Sequence, residues 1–307
     1  MNAKSALAKL ANAMGYSVIR RTTFDTLTRE SWLLREQASQ LAAVQRELDV
    51  MASGQTASLR ALDSSERSSR PSEGLYTPIY DYVGLRTDPR VLNAHLFMKD
   101  NRFVKAFKRG AAATQTDTQD YWRVHVALWC ASHAANLNGD FVECGVWRGL
   151  LSSAIMEYLD WNRLGRRFFL FDTFRGMDER QLKDEEILKG NIAHWRKHYQ
   201  EDVYADVVKN FAEFKNVTII RGSVPDTLDS VEIGPICYLS IDMNNSAPEI
   251  AAANHFWDRL VPGAPILLDD YGFVSYEVQS RAFDDWAAWR NLAILVLPTG
   301  QGLMIKP

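Results

Sequence analysis

The chain has 307 residues, of which 47% are hydrophobic and 24% are charged, enough apolar material for one large globular domain with an appended segment. Its formal net charge of −3 argues against nucleic acid as the main partner, because phosphate binding requires a basic face. No apolar run is long enough to cross a bilayer, and the three cysteines (Cys130, Cys144 and Cys237) stand widely spaced in apolar runs, so a cytoplasmic protein with reduced thiols is expected.

The first 52 residues are predicted to form a helical N-terminal extension. Within it, residues 1–21 carry basic side chains, no acid, and apolar residues at helical spacing, without the apolar block of a signal peptide. Such a helix can contact the anionic inner face of a membrane weakly, or it can simply pack on its own domain. Both interpretations stay open at this point.

Residues 26–51 keep one leucine position through about three heptads, at Leu27, Leu34, Leu41 and Leu48. A short coiled coil that joins two chains into a homo-oligomer would use this pattern. The second seam position is largely polar, and we therefore favour an amphipathic helix that docks within the chain.

Residues 53–75 are rich in Ser, Arg and Glu and are predicted to form a flexible linker. Residues 76–138 follow as a mostly helical region. Its last patterned run, residues 121–137, directly precedes the first strand, where it could lie over the edge of the sheet or act as a lid on the site. His125 and His133 in this run are interpreted as packing residues rather than catalytic ones.

From Gly139 to Pro307 apolar strands alternate with helical stretches, which is typical of a doubly wound α/β fold with a mostly parallel sheet. Five strands are predicted, at residues 141–143, 167–172, 216–222, 236–242 and 264–270. Helices are predicted between them, including residues 250–260 and 276–290. Residues 293–297 and 303–306 flank a Pro-Thr-Gly-Gln-Gly turn and are predicted to close the sheet as an antiparallel hairpin.

The residues at the strand ends carry the chemical information. A glycine turn, Gly145 to Gly149, joins the first strand to a helix, and acids end four strands: Glu143, Asp172, Asp242 and the pair Asp269–Asp270. A carboxylate after the second strand is suited to a ribose diol. Asp172 comes late for a nicotinamide fingerprint, and no phosphate-cradling lysine is present, so a nucleoside without phosphates, S-adenosylmethionine, is the predicted ligand.

Three acids at two strand ends also predict a divalent cation. Magnesium prefers hard oxygen ligands, and a hydroxyl bound to it loses its proton more readily. No cysteine or histidine at these positions suggests zinc. The alternative interpretation is that Asp269–Asp270 caps the next helix. A histidine general base, His125, His133 or His255, is not placed near these acids by any pattern.

Three stretches, GDFVECGVWRG (139–149), FDTFRGM (171–177) and LLDDYG (267–272), resemble the macrocin O-methyltransferase family. The resemblance covers about residues 121–307. It implies a Rossmann-like class I methyltransferase fold, S-adenosylmethionine as methyl donor, and a sugar or other small-molecule hydroxyl as acceptor, with magnesium held by Asp242, Asp269 and Asp270 and Asp242 taking part in catalysis. The cofactor contacts implied by the resemblance are Glu143, Cys144, Gly145, Gly149, Asp172, Thr173, Phe174, Gly222, Ser223 and Asp242.

One loop departs from the family pattern. Where the family typically has Asp-Gly-Asp-Leu-Tyr-Glu-Ser after the fourth strand, this chain has Asp-Met-Asn-Asn-Ser-Ala-Pro from Asp242. The first acid is retained, the second is an amide and the tyrosine is absent. The departure leaves an alternative open: a degenerate methyltransferase fold that binds a nucleoside or a partner without transferring a methyl group.

Overall fold

The computed structural model describes residues 96–116, 118, 120–188, 195–196, 199, 201–273 and 275–307. The chain divides into two units, Met1–Leu75 and Tyr76–Pro307, and every described residue belongs to the second. The predicted N-terminal extension, coiled coil and linker therefore lie outside the described residues.

A seven-stranded sheet organises the second unit. Its strands are β1 (Asp140–Cys144), β2 (Phe168–Asp172), β3 (Val217–Arg221), β4 (Ile236–Ile241), β5 (Pro265–Leu268), β6 (Leu295–Val296) and β7 (Gly302–Ile305). Their order in the sheet is β3-β2-β1-β4-β5-β7-β6. The first five strands are parallel, and β7 pairs antiparallel with both β5 and β6. The chain therefore reverses its direction of winding between β1 and β4.

Helices cover both faces of the sheet. They are α1 (Asn101–Thr114), α2 (Tyr121–Ala134), α3 (Leu150–Tyr158), α4 (Trp161–Leu164), α5 (Asp184–Leu188), α6 (Tyr204–Phe211), α7 (Ser246–Trp257) and α8 (Glu277–Trp289). Residues of α1, α2, α3, α4 and α6 pack with one set of strand side chains, and residues of α7 and α8 pack with the other. Short 3₁₀ turns occur at Leu96–Lys99, Glu179–Gln181 and Leu228–Ser230.

Parallel strands that are buried on both faces read as continuous apolar runs, and β1 and β4 are buried at every residue. Alternate side chains enter opposite layers: Phe141 of β1 lies in the layer with α1 to α4, whereas Val142 and Cys144 lie in the layer with α7 and α8. Because of this alternation, consecutive residues at the end of a strand point to opposite faces of the sheet.

The predicted fold class is confirmed: the sheet is doubly wound and mostly parallel, with an antiparallel pair of strands after the fifth. Two details differ from the prediction. Helix α7 begins at Ser246, four residues before the predicted start, because Pro248 falls in its first turn, where a missing N–H costs no helical hydrogen bond. The hairpin closes the sheet with its second strand innermost, so β7 and not β6 pairs with β5.

All three cysteines are free and buried, as predicted. Helix α2 packs on the face of the sheet next to β4 and β5 and not over an outer edge. In the part of the chain that the structure describes, no helix is long and apolar enough to span a membrane.

Candidate active site

A cavity of about 1220 Å³ opens at the carboxyl ends of the five parallel strands. Gly145, Thr173, Gly222, Met243 and Asp269, each from the loop after a different strand, contribute to its lining. Because the order of winding reverses between β1 and β4, the loops after these two strands diverge and leave a crevice, which is where ligands bind in open α/β sheets. The connection between α1 and α2 borders the cavity on another side.

Asp172 fixes the glycine turn after β1. Its Oδ2 accepts hydrogen bonds from the main-chain N–H groups of Val146 and Trp147 at 2.6 and 2.7 Å, and its Oδ1 accepts one from Phe174 at 2.6 Å. Burial raises the pKa of Asp172, and these main-chain bonds oppose the rise. Both carboxylate oxygens therefore organise main chain, and the predicted contact of Asp172 with a ribose remains a prediction.

Gly145 brings the glycine turn against the main chain of Asp242, directly after β4. Its φ of +89° lies in the left-handed region, and a Cβ at this position would overlap the main-chain carbonyl of Asp242. The N–H of Gly145 donates to the Phe171 carbonyl at 2.8 Å. Glycine is thus required for the turn and for the close approach of β1 and β4.

The loops after β2 and β3 add Asp178, Gly222 and Ser223 to the lining of the cavity. The Ser223 hydroxyl donates to Asp178 Oδ2 at 2.7 Å, and hydrogen bonds from Arg180 hold the pKa of Asp178 below its usual range. Asp178 stays ionised and was not predicted as a site residue. The sequence offered no strand-end position to reveal it, because it lies six residues beyond β2.

Glu143 lines the cavity from the end of β1 but is only 2% exposed. It accepts a hydrogen bond from the Ser152 hydroxyl in α3. Burial, and then the nearby charges of Asp269 and Asp172, raise the pKa of Glu143 well above its ordinary value. Glu143 is therefore electrostatically coupled to Asp269, one of the acids that follow β4 and β5.

Asp242, Asp269 and Asp270 form this acid cluster, and all three line the cavity. Burial, and then the charges of Asp269 and Asp270, raise the pKa of Asp242 well above its ordinary value. Burial also raises the pKa of Asp270, to about 6. The alternative capping function fails, because α8 begins only at Glu277 and has no side-chain cap.

Arg123, in the first turn of α2, is the cation that meets this cluster. Its Nη2 lies 3.0 Å from the Asp270 Oδ1 and 3.0 Å from the Asp269 carbonyl oxygen, and it forms an ion pair with the Asp269 carboxylate. The opposing acids raise the pKa of Arg123 against the effect of its burial, so it stays charged. Sequence reasoning missed Arg123, because strand-end patterns carry no information about which helical side chain docks above them.

Glu249 of α7 holds the loop that departs from the family pattern. Its Oε1 accepts hydrogen bonds from Met243 N at 3.0 Å, Asn244 N at 2.9 Å and the Gln279 side chain at 2.9 Å. Asn244 adopts a left-handed φ of 64° in this loop and its side chain donates to Asp242 Oδ1 at 3.3 Å. Glu249 also escaped prediction, although an acid in the first turn of an otherwise apolar helix was a usable signal.

The acid cluster fits a divalent cation in its chemistry. Asp242, Asp269 and Asp270 offer only oxygen donors, the type that Mg²⁺ takes. Arg123 supplies one positive charge against three carboxylates, and burial, followed by the charges of neighbouring acids, raises the pKa values of Asp242 and Asp270. Among the described residues, however, no group of three or more Asp, Glu, His or Cys side chains is arranged to hold a metal ion.

Three residues predicted to contact the cofactor lie outside the lining of the cavity. Cys144 and Phe174 are buried in opposite core layers. Gly149 directly precedes α3, has a φ of +89° and donates its N–H to the Val146 carbonyl. The burial of Cys144 could have been predicted from the two-residue period of a strand, because consecutive side chains point to opposite faces and its neighbour Glu143 lines the cavity. The structure brings together the remaining members of the predicted set.

The described histidines do not line the cavity. His125 stacks on Phe97 with ring centroids 3.9 Å apart, and His133 Nε2 lies 3.0 Å from the Gly263 carbonyl oxygen. His255 lies beside Arg259, and burial lowers its pKa. These positions agree with packing roles.

A family model described as macrocin-O-methyltransferase (TylF) matches residues 86–295, more than half of the chain. The chain belongs to the macrocin O-methyltransferase family. Membership in this methyltransferase family implies S-adenosylmethionine as the methyl donor. The matched segment contains the glycine turn, Asp172 and the acid cluster, so the family assignment and the cavity concern the same part of the chain.

Two relatives illustrate the similarity. The chain is 28% identical over 146 residues to the 8-demethyl-8-(2,3-dimethoxy-α-L-rhamnosyl)-tetracenomycin-C 4'-O-methyltransferase of Streptomyces olivaceus, which covers 45% of this chain and 55% of that protein. The chain thus spans about half the length of this curated relative. The solved structure of the O-methyltransferase NovP aligns with a TM-score of 0.52 at 20% identity, covering 60% of this chain and 79% of that one. The fold is that of a class I methyltransferase.

Proposed function

We propose that this protein transfers the methyl group of S-adenosylmethionine to a hydroxyl group of a sugar, with a divalent cation at the acid cluster. The observation that carries the proposal is one continuous cavity with two chemically different halves. The glycine turn, Asp172, Asp178 and Ser223 line it beyond β1, β2 and β3, which we call the first half. Asp242 and Asp270 line it beyond β4 and β5, together with Arg123 of α2, which we call the second half.

The first half suits the methyl donor. A glycine turn leaves main chain open to a ligand, and the ionised Asp178 beside Ser223 presents hydrogen-bond acceptors to hydroxyl groups. A sulfonium cofactor carries positive charge, which the acids of this half would favour. The order of the elements, with the glycine turn after β1 and an acid after β2, is that of a nucleoside site at a winding reversal.

The second half suits a hydroxyl that must lose a proton. Asp242, Asp269 and Asp270 are the residues that would hold the cation, and a bound divalent cation makes a hydroxyl more acidic near neutral pH. Asp242 lines the cavity beside the other two acids, and its carboxylate is a second group in this half that could accept the proton. Holding the acceptor oxygen in line with the methyl group supplies a further part of the rate.

The charges of the lining favour an acceptor without phosphate. Eight acids and two arginines are found among the described residues of the lining. Both arginines are already paired: Arg123 with the acid cluster, and Arg148 with Glu201 and Asp206. A sugar diphosphate would find little compensating charge there, whereas a neutral glycoside would not need it. The aromatic rings of Trp147 and Tyr199, with centroids 4.6 Å apart, also line the cavity and offer apolar surface to a sugar ring.

The test is methyl transfer from labelled S-adenosylmethionine to matched pairs of acceptors, rhamnosides and the corresponding nucleotide sugars, with EDTA or magnesium. Transfer to glycosides, loss in EDTA and recovery with magnesium are expected. Asp270→Asn should lose transfer while binding S-adenosylhomocysteine normally, and Asp229→Asn, on an exposed 3₁₀ turn, is the matched control.

Two results would contradict the proposal in different ways. Full activity in EDTA would remove the cation from it. Tight cofactor binding without transfer to any hydroxyl acceptor would instead support a degenerate fold that acts as a binding module.

A further inference from the structure

We infer that Arg123 is a positioning residue: its guanidinium sets the orientation of Asp269 and Asp270 and thereby assembles the acceptor half of the site. The inference rests on the proposed function. Nothing in the strand-end pattern points to Arg123, because it belongs to a helix that precedes the sheet in the chain.

The first argument is the geometry of the guanidinium. One Nη2 group reaches the Asp269 carboxylate, the Asp269 carbonyl oxygen and Asp270 Oδ1, while Nε lies 3.3 Å from Asp269 Oδ1. A planar, rigid donor set that contacts two consecutive acids restricts both side chains at once. Without it, two adjacent carboxylates would repel each other and turn apart.

The second argument is that Asp269 is held from the opposite side as well. Gln301, in the turn between β6 and β7, is fully buried and donates from Nε2 to Asp269 Oδ1 at 2.8 Å. Asp269 therefore stands between a helix and a turn, with both oxygens bound within the protein. Asp270, in contrast, uses Oδ1 for Arg123. Arg123 and Gln301 thus assign the two neighbouring acids different environments.

The third argument is the protection of the ion pair from water. The side chains of Arg123, Asp269 and Asp270 are 13%, 9% and 11% exposed, and the Arg123 guanidinium carbon lies 4.9 Å from the centre of the Phe273 ring. A charge-assisted pair that is mostly shielded keeps its geometry more strictly than a solvated one. The docking of α2 is therefore coupled to the arrangement of the acids.

The experiment compares three variants. Arg123→Met removes the charge at similar length, and Arg123→Lys keeps the charge but loses the planar donor set. Arg109→Met is the matched control, because Arg109 on the neighbouring helix is 18% exposed and donates to Asn210 and Glu213 but does not line the cavity. Melting temperature, affinity for S-adenosylhomocysteine, affinity for Mn²⁺ and kcat are measured for each.

We expect Arg123→Met to lower kcat and the Mn²⁺ affinity about 10- to 100-fold, as loss of a residue that orients metal ligands does, while cofactor affinity changes little. Removal of a positive charge would by itself strengthen Mn²⁺ binding, so a lower affinity separates the positioning role from simple neutralisation of the acids. Arg123→Lys should recover only part of this loss. Arg109→Met should lower the melting temperature without lowering kcat. An unchanged kcat or an unchanged or higher Mn²⁺ affinity in Arg123→Met would overturn the inference, and so would full recovery of both in Arg123→Lys.

The positioning role of Arg123 can be tested even if the proposed function is wrong. If the wild-type protein transfers no methyl group and binds no Mn²⁺, crystal structures of the wild type and Arg123→Met decide the question. Reoriented Asp269 and Asp270 side chains in the variant support the positioning role, and unchanged side chains overturn it.

Discussion

Gly145→Ala is the substitution for which the structure gives the sharpest prediction. Gly145 has a φ of +89°, and a Cβ there would overlap the carbonyl of Asp242 and lie 3.0 Å from Met243 N. Main chain of two paired strands, β1 and β4, cannot move aside as the end of a flexible side chain can. Gly165 offers the matched control, because its φ of +70° is similar but a Cβ there would meet nothing within 4 Å.

The two substitutions separate backbone strain from steric overlap. Left-handed backbone costs a residue with a Cβ about 1.5 kcal/mol. Overpacking adds roughly 2 kcal/mol more at Gly145. For a unit of this size, 1 kcal/mol of unfolding free energy corresponds to about 3 °C in Tm. Gly165→Ala should therefore lower Tm by about 4–5 °C and Gly145→Ala by about 10 °C.

Differential scanning calorimetry gives the two Tm values, and isothermal titration with S-adenosylhomocysteine gives the cofactor affinity. The affinity should fall at least about 10-fold in Gly145→Ala, because the displaced turn lines the cavity, and should stay unchanged in Gly165→Ala. Equal Tm losses in the two variants, with equal affinities, would refute the contact between the glycine turn and β4.

Three other predictions follow from contacts described above. Asp172→Asn should weaken cofactor binding by roughly 10-fold or more in calorimetry, because an amide cannot accept all three main-chain bonds; unchanged affinity would contradict this role. Glu249→Ala should reduce kcat while cofactor affinity persists, because it removes the oxygen that accepts the Met243 and Asn244 main-chain N–H groups and orients the loop after Asp242, and a change in affinity alone would be the opposite result. Burial lowers the pKa of His125 from 6.5, so the unfolded chain binds its proton more readily and this residue should make stability fall as the pH drops below about 6.5. His125→Gln should show a smaller drop in Tm between pH 7.5 and 5 than the wild type, and it should keep kcat within about 3-fold, since losing a general base costs about 100-fold or more.

The strand ends of the site could be predicted because a doubly wound sheet places them at one edge regardless of how its helices pack. Glu143, Gly145, Ser223 and Asp270 therefore meet in the cavity as expected. Cys144 did not, because neighbouring residues in a strand point to opposite faces, and the sequence motif was carried over without that alternation.

Arg123, Asp178 and Glu249 could not be read from the same pattern. Each reaches the site from a helix or a loop whose position depends on tertiary packing, and an isolated sequence does not specify which turn of a helix docks above a strand end. The different hydrogen-bond environments of Asp269 and Asp270 have the same origin, since they depend on Gln301 from a distant turn.

The position of β7 has a consequence for synthesis. Gly302–Ile305 is the last of the seven strands to leave the ribosome, yet it fills the place between β5 and β6. Until it emerges, the edge of the buried strand β5 has no partner on that side, and the turn that carries Gln301 to Asp269 cannot form. During this time the nascent chain exposes an unpaired strand edge, which can pair with other chains, next to an incomplete site. We therefore expect the chain to depend most on chaperones before β7 has paired with β5.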